Sequence, residues 1–277
     1  MARPVASCRL CRETHLLCES HLIAKSFYKR LRDDEGIFVN RHDGRLISTD
    51  HQVKEYLLCT ACEERFSRNG ESWVFANSAS LTGFPLRSAL YRVTAIAGNE
   101  QSLTFRADVP GVEINQLVYF ATSVIWRASV GTWNLLERWF DSSNKPDLGI
   151  HEEALRLYLL GRASFPPDGS LSIHACNSEA PAMTLTYPGS LGIEENGSVQ
   201  FSFNVPGLLF YLRLNDPRKD RLEFSIVNNP RVPIIQVSPA VWDFVAKTHR
   251  GNQAHPRHSP TYSLNRVLNR VPDSAPG

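Results

Sequence analysis

LLCTACEERFSRNGE, residues 57–71, decides how this chain is built. Cys59 and Cys62 stand two residues apart behind a pair of leucines, and a run of charge follows. A C-x-x-C turn offers two thiolates to one ion, and a tetrahedral structural zinc needs two such turns. The second is CRLC at 8–11, which supplies Cys8 and Cys11. The spacing predicts a structural Zn2+ on Cys8, Cys11, Cys59 and Cys62, with a folded insert between the halves. Cys18 and Cys176 have no partner at ligand spacing and read as ordinary buried cysteines.

Composition bounds what such a scaffold can serve. A chain of 277 residues has room for one large domain or two ordinary ones. Its 42% apolar and 21% charged residues are those of a soluble globular protein. The net charge of +2 gives no global drive towards nucleic acid, so any basic surface must be local. MARPVASCRLC lacks an apolar run of signal-peptide length, which sets the expectation of a cytoplasmic protein. In a reducing compartment paired cysteines favour metal over disulfide.

The stretch Ile114–Leu136 is long enough to span a bilayer, but Arg127 lies inside it and a central arginine is costly in lipid. The expectation is a buried helix over 113–140 and no membrane contact. There Arg127 needs either a buried carboxylate or a place in a ligand pocket.

Residues 1–80 carry both cysteine pairs and read as one module. CESHLIAKSFYKRLRDDEG suggests a short strand or turn and then a helix with Leu22, Ile23, Phe27 and Leu31 on one face. Asp43-Gly44 marks a hairpin between 37–39 and 45–48. Residues 81–250 read as a larger mixed domain. Helices are expected within 86–98, along 113–140, over 151–160 and over 239–249. Antiparallel strands are expected from SVQFSFNV (198–205), GLLFYLRL (207–214), RLEFSIV (221–227) and VPIIQVS (232–238). Residues 251–277 are rich in Pro, Ser, Asn, Arg and His and read as a disordered tail. The fold class is α+β.

CxxC, then His21-Leu22-Ile23, then a hairpin-bearing insert, then Leu57-Leu58-Cys-x-x-Cys resembles the zinc-stapled HNH endonuclease family over residues 8–71. The resemblance implies a ββα-metal motif in which two strands and a helix hold a catalytic divalent ion, while the zinc only clamps the scaffold. It implies a general base at His21 and a metal-binding residue at Glu63, straight after the second pair. Glu71 is a second carboxylate about two turns on. The chain departs from the family pattern at Ser20, where an acidic residue is usual, at Ala24, where proline is usual, near Lys54 and Glu55, where an asparagine is usual, and at Glu63, where histidine or asparagine is usual.

Two readings follow. In one, His21, Glu63 and Glu71 serve metal-dependent cleavage of phosphodiesters with Mg2+ or Mn2+, a hydrolase activity suited to bacterial or phage defence. In the other, the site is inactive and the zinc scaffold binds nucleic acid or protein. Lys25, Lys29, Arg30 and Arg32 form a basic strip beside His21, the candidate contact for nucleic acid, with DNA ahead of RNA. The larger domain is the candidate surface for a protein partner or a homo-oligomer.

Overall fold

The computed structural model describes residues 3–31, 37–40, 46–49, 52–99, 102–133, 145–177, 185–193, 197–215, 219–229, 231–239 and 242. The chain opens with strands β1 (Val5–Ser7) and β2 (Thr14–His21), followed by helix α1 (Lys25–Leu31). Strands β3 (Ile37–Asn40) and β4 (Leu46–Thr49) pair antiparallel, while the turn expected at Asp43-Gly44 lies outside the described residues. Strand β5 (Lys54–Cys59) then returns antiparallel beside β2, giving a three-stranded sheet in the order β1-β2-β5. In α1, Phe27 is fully buried and Leu31 packs against the core, as their spacing requires.

Helix α2 (Thr60–Phe66) begins directly at the second cysteine pair. It continues through a π-helical turn at Ser67–Glu71 into α3 (Ser72–Asn77), with helical backbone angles at both joins. The π turn widens the helix where its neighbour comes closest. A Cβ on Gly70 would lie 2.8 Å from the backbone nitrogen of Phe120, so only glycine lets the two backbones approach.

That neighbour is the central helix of the larger part. Helix α4 (Pro85–Leu90) is short and carries its proline in the first turn. The following Val93, Thr94 and Ile96 are β-branched and disfavour helix, so the helix expected within 86–98 stops early. The chain turns into strands β6 (Ala97–Asn99) and β7 (Ser102–Arg106). Helix α5 (Ile114–Val130) is buried on every side from Leu117 to Ala128. It ends at Val130 rather than continuing towards 140. Gly131 is extended, and the Glu55 carboxylate accepts the N–H groups of Thr132 at 3.0 Å and Trp133 at 2.6 Å. A carboxylate that binds these donors stops the helix by offering them another partner. Residues 134–140 lie outside the described residues.

Helix α6 (His151–Leu159) packs on α5. Strands β8 (Ser170–Ala175), β9 (Leu185–Ile193), β10 (Val199–Val205), β11 (Leu208–Leu214) and β12 (Ile234–Val237) complete a nine-stranded sheet. Its order is β4-β3-β9-β10-β11-β8-β12-β7-β6. Most pairs are antiparallel, but β3–β9 and β8–β12 are parallel. The alternation of Phe201, Phe203 and Val205 turns them to the core, where Phe120 of α5 meets Phe203 and Phe210 at ring distances of 5.9 and 5.6 Å. The strand expected at 221–227 is instead a short 3-10 helix at Lys219–Phe224. The edge of β8 beside it is already taken by β12.

The fold is thus mixed α+β. A small sheet carries the cysteine cluster, and a larger mixed sheet with helices follows it. One apolar core serves both parts, with Phe27 against Phe120 and Phe66 against Trp126. No helix among the described residues is long and apolar enough to cross a membrane. Arg32, the tail 251–277 and nearly all of 239–249 lie outside the described residues.

Candidate metal centre

Cys8 and Cys11 sit on the tight turn between β1 and β2. That turn is closed by Arg12 N–H to the Cys8 carbonyl at 2.8 Å, with Arg12 in the left-handed region at φ 66°. Cys59 ends β5 and Cys62 lies in the first turn of α2. The four sulfurs lie within 4.8 Å of one another, and Cys11 and Cys59 are 4.0 Å apart. A zinc tetrahedron with bonds of about 2.3 Å has sulfurs separated by ~3.8 Å, so the cluster is close to closed. The four cysteines can hold a metal ion.

The protonation pattern fits that reading. The neighbouring Cys62 and the backbone N–H groups of Cys11, Cys59 and Leu10 pull the Cys8 thiol down against its burial. The same contact with Cys8, together with burial, pushes Cys62 up. Thiols this close share a proton, and a bound cation resolves the repulsion that would follow its loss. The Cys59 N–H reaches Cys8 Sγ at 3.3 Å. From α6, Arg156 donates to the Leu10 carbonyl at 2.6 Å and grips Glu153 through two bonds of 2.8 and 2.7 Å. Arg12 pairs with the same Glu153. The first cysteine turn is therefore held by the larger half of the chain.

Behind the second pair lies a polar cluster. His21 ends β2, and its Nε2 is 2.8 Å from Gln52 Oε1. Burial pushes its pKa down; Gln52 opposes this, and the charges of Lys25, Lys54 and Arg127 add to it. Glu63 lies in the first turn of α2, with Oε1 buried and without a hydrogen-bond partner. Burial pushes its carboxyl up, while the Arg127 charge and the Ser20 hydroxyl pull the other way. Ser20 Oγ also accepts the Leu58 N–H at 3.1 Å.

Glu71 closes the π turn and accepts Arg127 Nη2 at 2.5 Å. The Arg127 side chain is 1% exposed and that of Glu71 12%. Its other arm donates to the His21 carbonyl at 2.8 Å, and the guanidinium lies 5.1 Å from the centre of the Phe66 ring.

The structure therefore gathers His21, Glu63 and Glu71 around a residue that the cysteine motif does not contain. A charge in an apolar helix signalled that Arg127 needed a partner, but not that Glu71 would be it. Ser20 departs from the family pattern, and its hydroxyl acts on the Glu63 carboxyl.

Of the basic strip, Lys25 and Lys29 are exposed. Arg30 instead turns inward, its Cζ 3.7 Å over the Phe75 ring, and donates to Ser78 Oγ at 2.7 Å and the Ala79 carbonyl at 3.1 Å. Cys176 is buried, whereas Cys18 is half-buried with Sγ 2.8 Å from an Arg3 nitrogen. No known family model, characterised protein or solved structure matches this chain.

Proposed function

We propose that this chain is a zinc-stapled, HNH-like module that binds nucleic acid without cutting it. The observation that carries the reading is Arg127. A fixed guanidinium stands between the His21 strand and Glu71 and neutralises Glu71, one of the two carboxylates that a catalytic Mg2+ or Mn2+ would use. The ion pair leaves no free pair of carboxylates for a hard cation. Zinc is the metal of choice for four thiolates in a reducing compartment. Lys54 and Arg127 near His21 are paired with Glu19 and Glu71, whereas Lys25 and Lys29 are exposed one turn apart on α1. A phosphate backbone is the natural partner of that face.

Gel shifts with DNA and RNA across a salt series test this. Lys25→Glu with Lys29→Glu should weaken binding to all sequences alike and lower the slope against log salt by about 2, one for each lysine. Binding that ignores both salt and these changes removes the nucleic-acid reading.

One observation favours metal-dependent cleavage instead. Glu63 Oε1 is buried without a hydrogen bond, and a divalent ion would be a partner for it. Cutting of plasmid or RNA that needs added Mn2+ and is lost in His21→Ala would replace the binding reading with this one.

A further inference from the structure

Cys11 differs from its three companions. Cys8, Cys59 and Cys62 are buried, whereas Cys11 is half-exposed. On its open side stand Glu13 and His15. The Cys11 sulfur, a Glu13 carboxylate oxygen and a His15 ring nitrogen all lie within 4.8 Å of one another. His15 Nε2 is 3.1 Å from Glu13 Oε2, and the two side chains are 44% and 71% exposed. The backbone under them is fixed. Glu13 O accepts the Cys8 N–H at 2.9 Å, and His15 is paired with Ala6 in the β1–β2 ladder.

We propose that Cys11, Glu13 and His15 form a second, solvent-facing zinc site that shares the Cys11 sulfur with the four-thiolate centre. Thiolate, imidazole and carboxylate are the three donor types zinc accepts, at bonds of about 2.0–2.3 Å. A thiolate sulfur has lone pairs enough to bridge two ions. Closing the three donors onto one ion needs rotation of two exposed side chains, Glu13 on the turn and His15 on β2, over a backbone that hydrogen bonds hold. Three protein donors leave a fourth position for water, the arrangement of an exchangeable zinc rather than a structural one. This separates the two centres. One is enclosed and built from thiolates alone; the other is open, mixed in its donors, and reached from solvent through Glu13 and His15.

The proposal rests on the four-thiolate centre carrying zinc, so metal content of the full chain as isolated is measured first. The chain is then titrated with Co2+, whose thiolate complexes absorb strongly. The expected result is one zinc per chain and one further Co2+ with a sulfur-to-cobalt band. That band should be lost in both His15→Ala and Glu13→Gln while the zinc content stays at one. A wild type isolated without zinc overturns the four-thiolate reading and this site with it. One zinc with no cobalt–thiolate band, or a band that persists in both variants, overturns the second site alone.

Discussion

Arg127 of α5 donates to the carbonyl of His21 at 2.8 Å, so the central helix of the larger part ends its charge inside the smaller one. With Glu71 on its other arm, the guanidinium ties the end of β2, the π turn and α5 into one unit. Buried charges of this kind add little net stability when paired but cost heavily when one partner is removed.

Arg127→Met should therefore lower unfolding stability by about 3–5 kcal/mol, because it leaves Glu71 buried and uncompensated. Adding Glu71→Gln should restore part of the loss. Urea denaturation of the two variants checks this. A double variant no more stable than the single one would mean that Arg127 acts through packing alone.

Metal removal should act on the whole chain rather than on the small sheet only, because Arg156 and Glu153 of α6 grip the first cysteine turn. Zinc bound by four thiolates contributes on the order of 10 kcal/mol to folding in small modules. Cys59→Ser, or a strong chelator, should lower the melting temperature and the near-ultraviolet signal of Trp126 in α5. An unchanged melt after the metal is gone would contradict the coupling.

Gly70→Ala should separate the two helices that meet at the π turn. The added methyl would meet Phe120 N, Cα and Cβ at 2.8–2.9 Å, all atoms that cannot swing away. Overpacking of this kind costs roughly 1–3 kcal/mol. Calorimetry should show the loss, and a neutral result would mean that α5 can shift.

His174 on β8 should make stability depend on pH. Burial and the nearby Arg213 hold its pKa down to about 4 from an ordinary 6.5. Its Nδ1 faces Ser238 Oγ at 3.0 Å, and its ring packs edge-on to Tyr211. Between these values the unfolded chain takes up a proton that the folded one refuses. Stability contributed by His174 is therefore full above pH 6.5 and falls as pH drops towards 4, by about 3 kcal/mol at roughly 1.4 kcal/mol per unit. In His174→Gln that part of the slope should vanish; an identical slope would assign it to other groups.

What could be read from the sequence follows range along the chain. The cysteine turns, the antiparallel pairing of 37–40 with 46–49 and the alternation of Phe201, Phe203 and Val205 are local patterns, and each appears in the structure where its spacing places it. Arg127 announced a need but not its answer, because Glu71 is far away in sequence and only the crossing of two helices brings them together. The length of α5 is hidden from local sequence for the same reason. The apolar run continues past Val130, but Glu55 from another strand takes the next N–H groups. The inward turn of Arg30 depends on Phe75, which no helical spacing within α1 could reveal.

The hairpin of β3 and β4 lies between the two cysteine pairs, yet it joins the large sheet beside β9, where Val39 pairs with Leu185. A ribosome releases the chain from its N-terminus. All four metal ligands have emerged once Cys62 is clear, long before Leu185 exists. The nascent protein can thus close its thiolate centre while β3 still displays an unpaired edge. Such pairings across distant residues are slow to form and leave strand edges open to other chains. During synthesis the hazard falls on that hairpin, whose partner strand is the last of the two to be made.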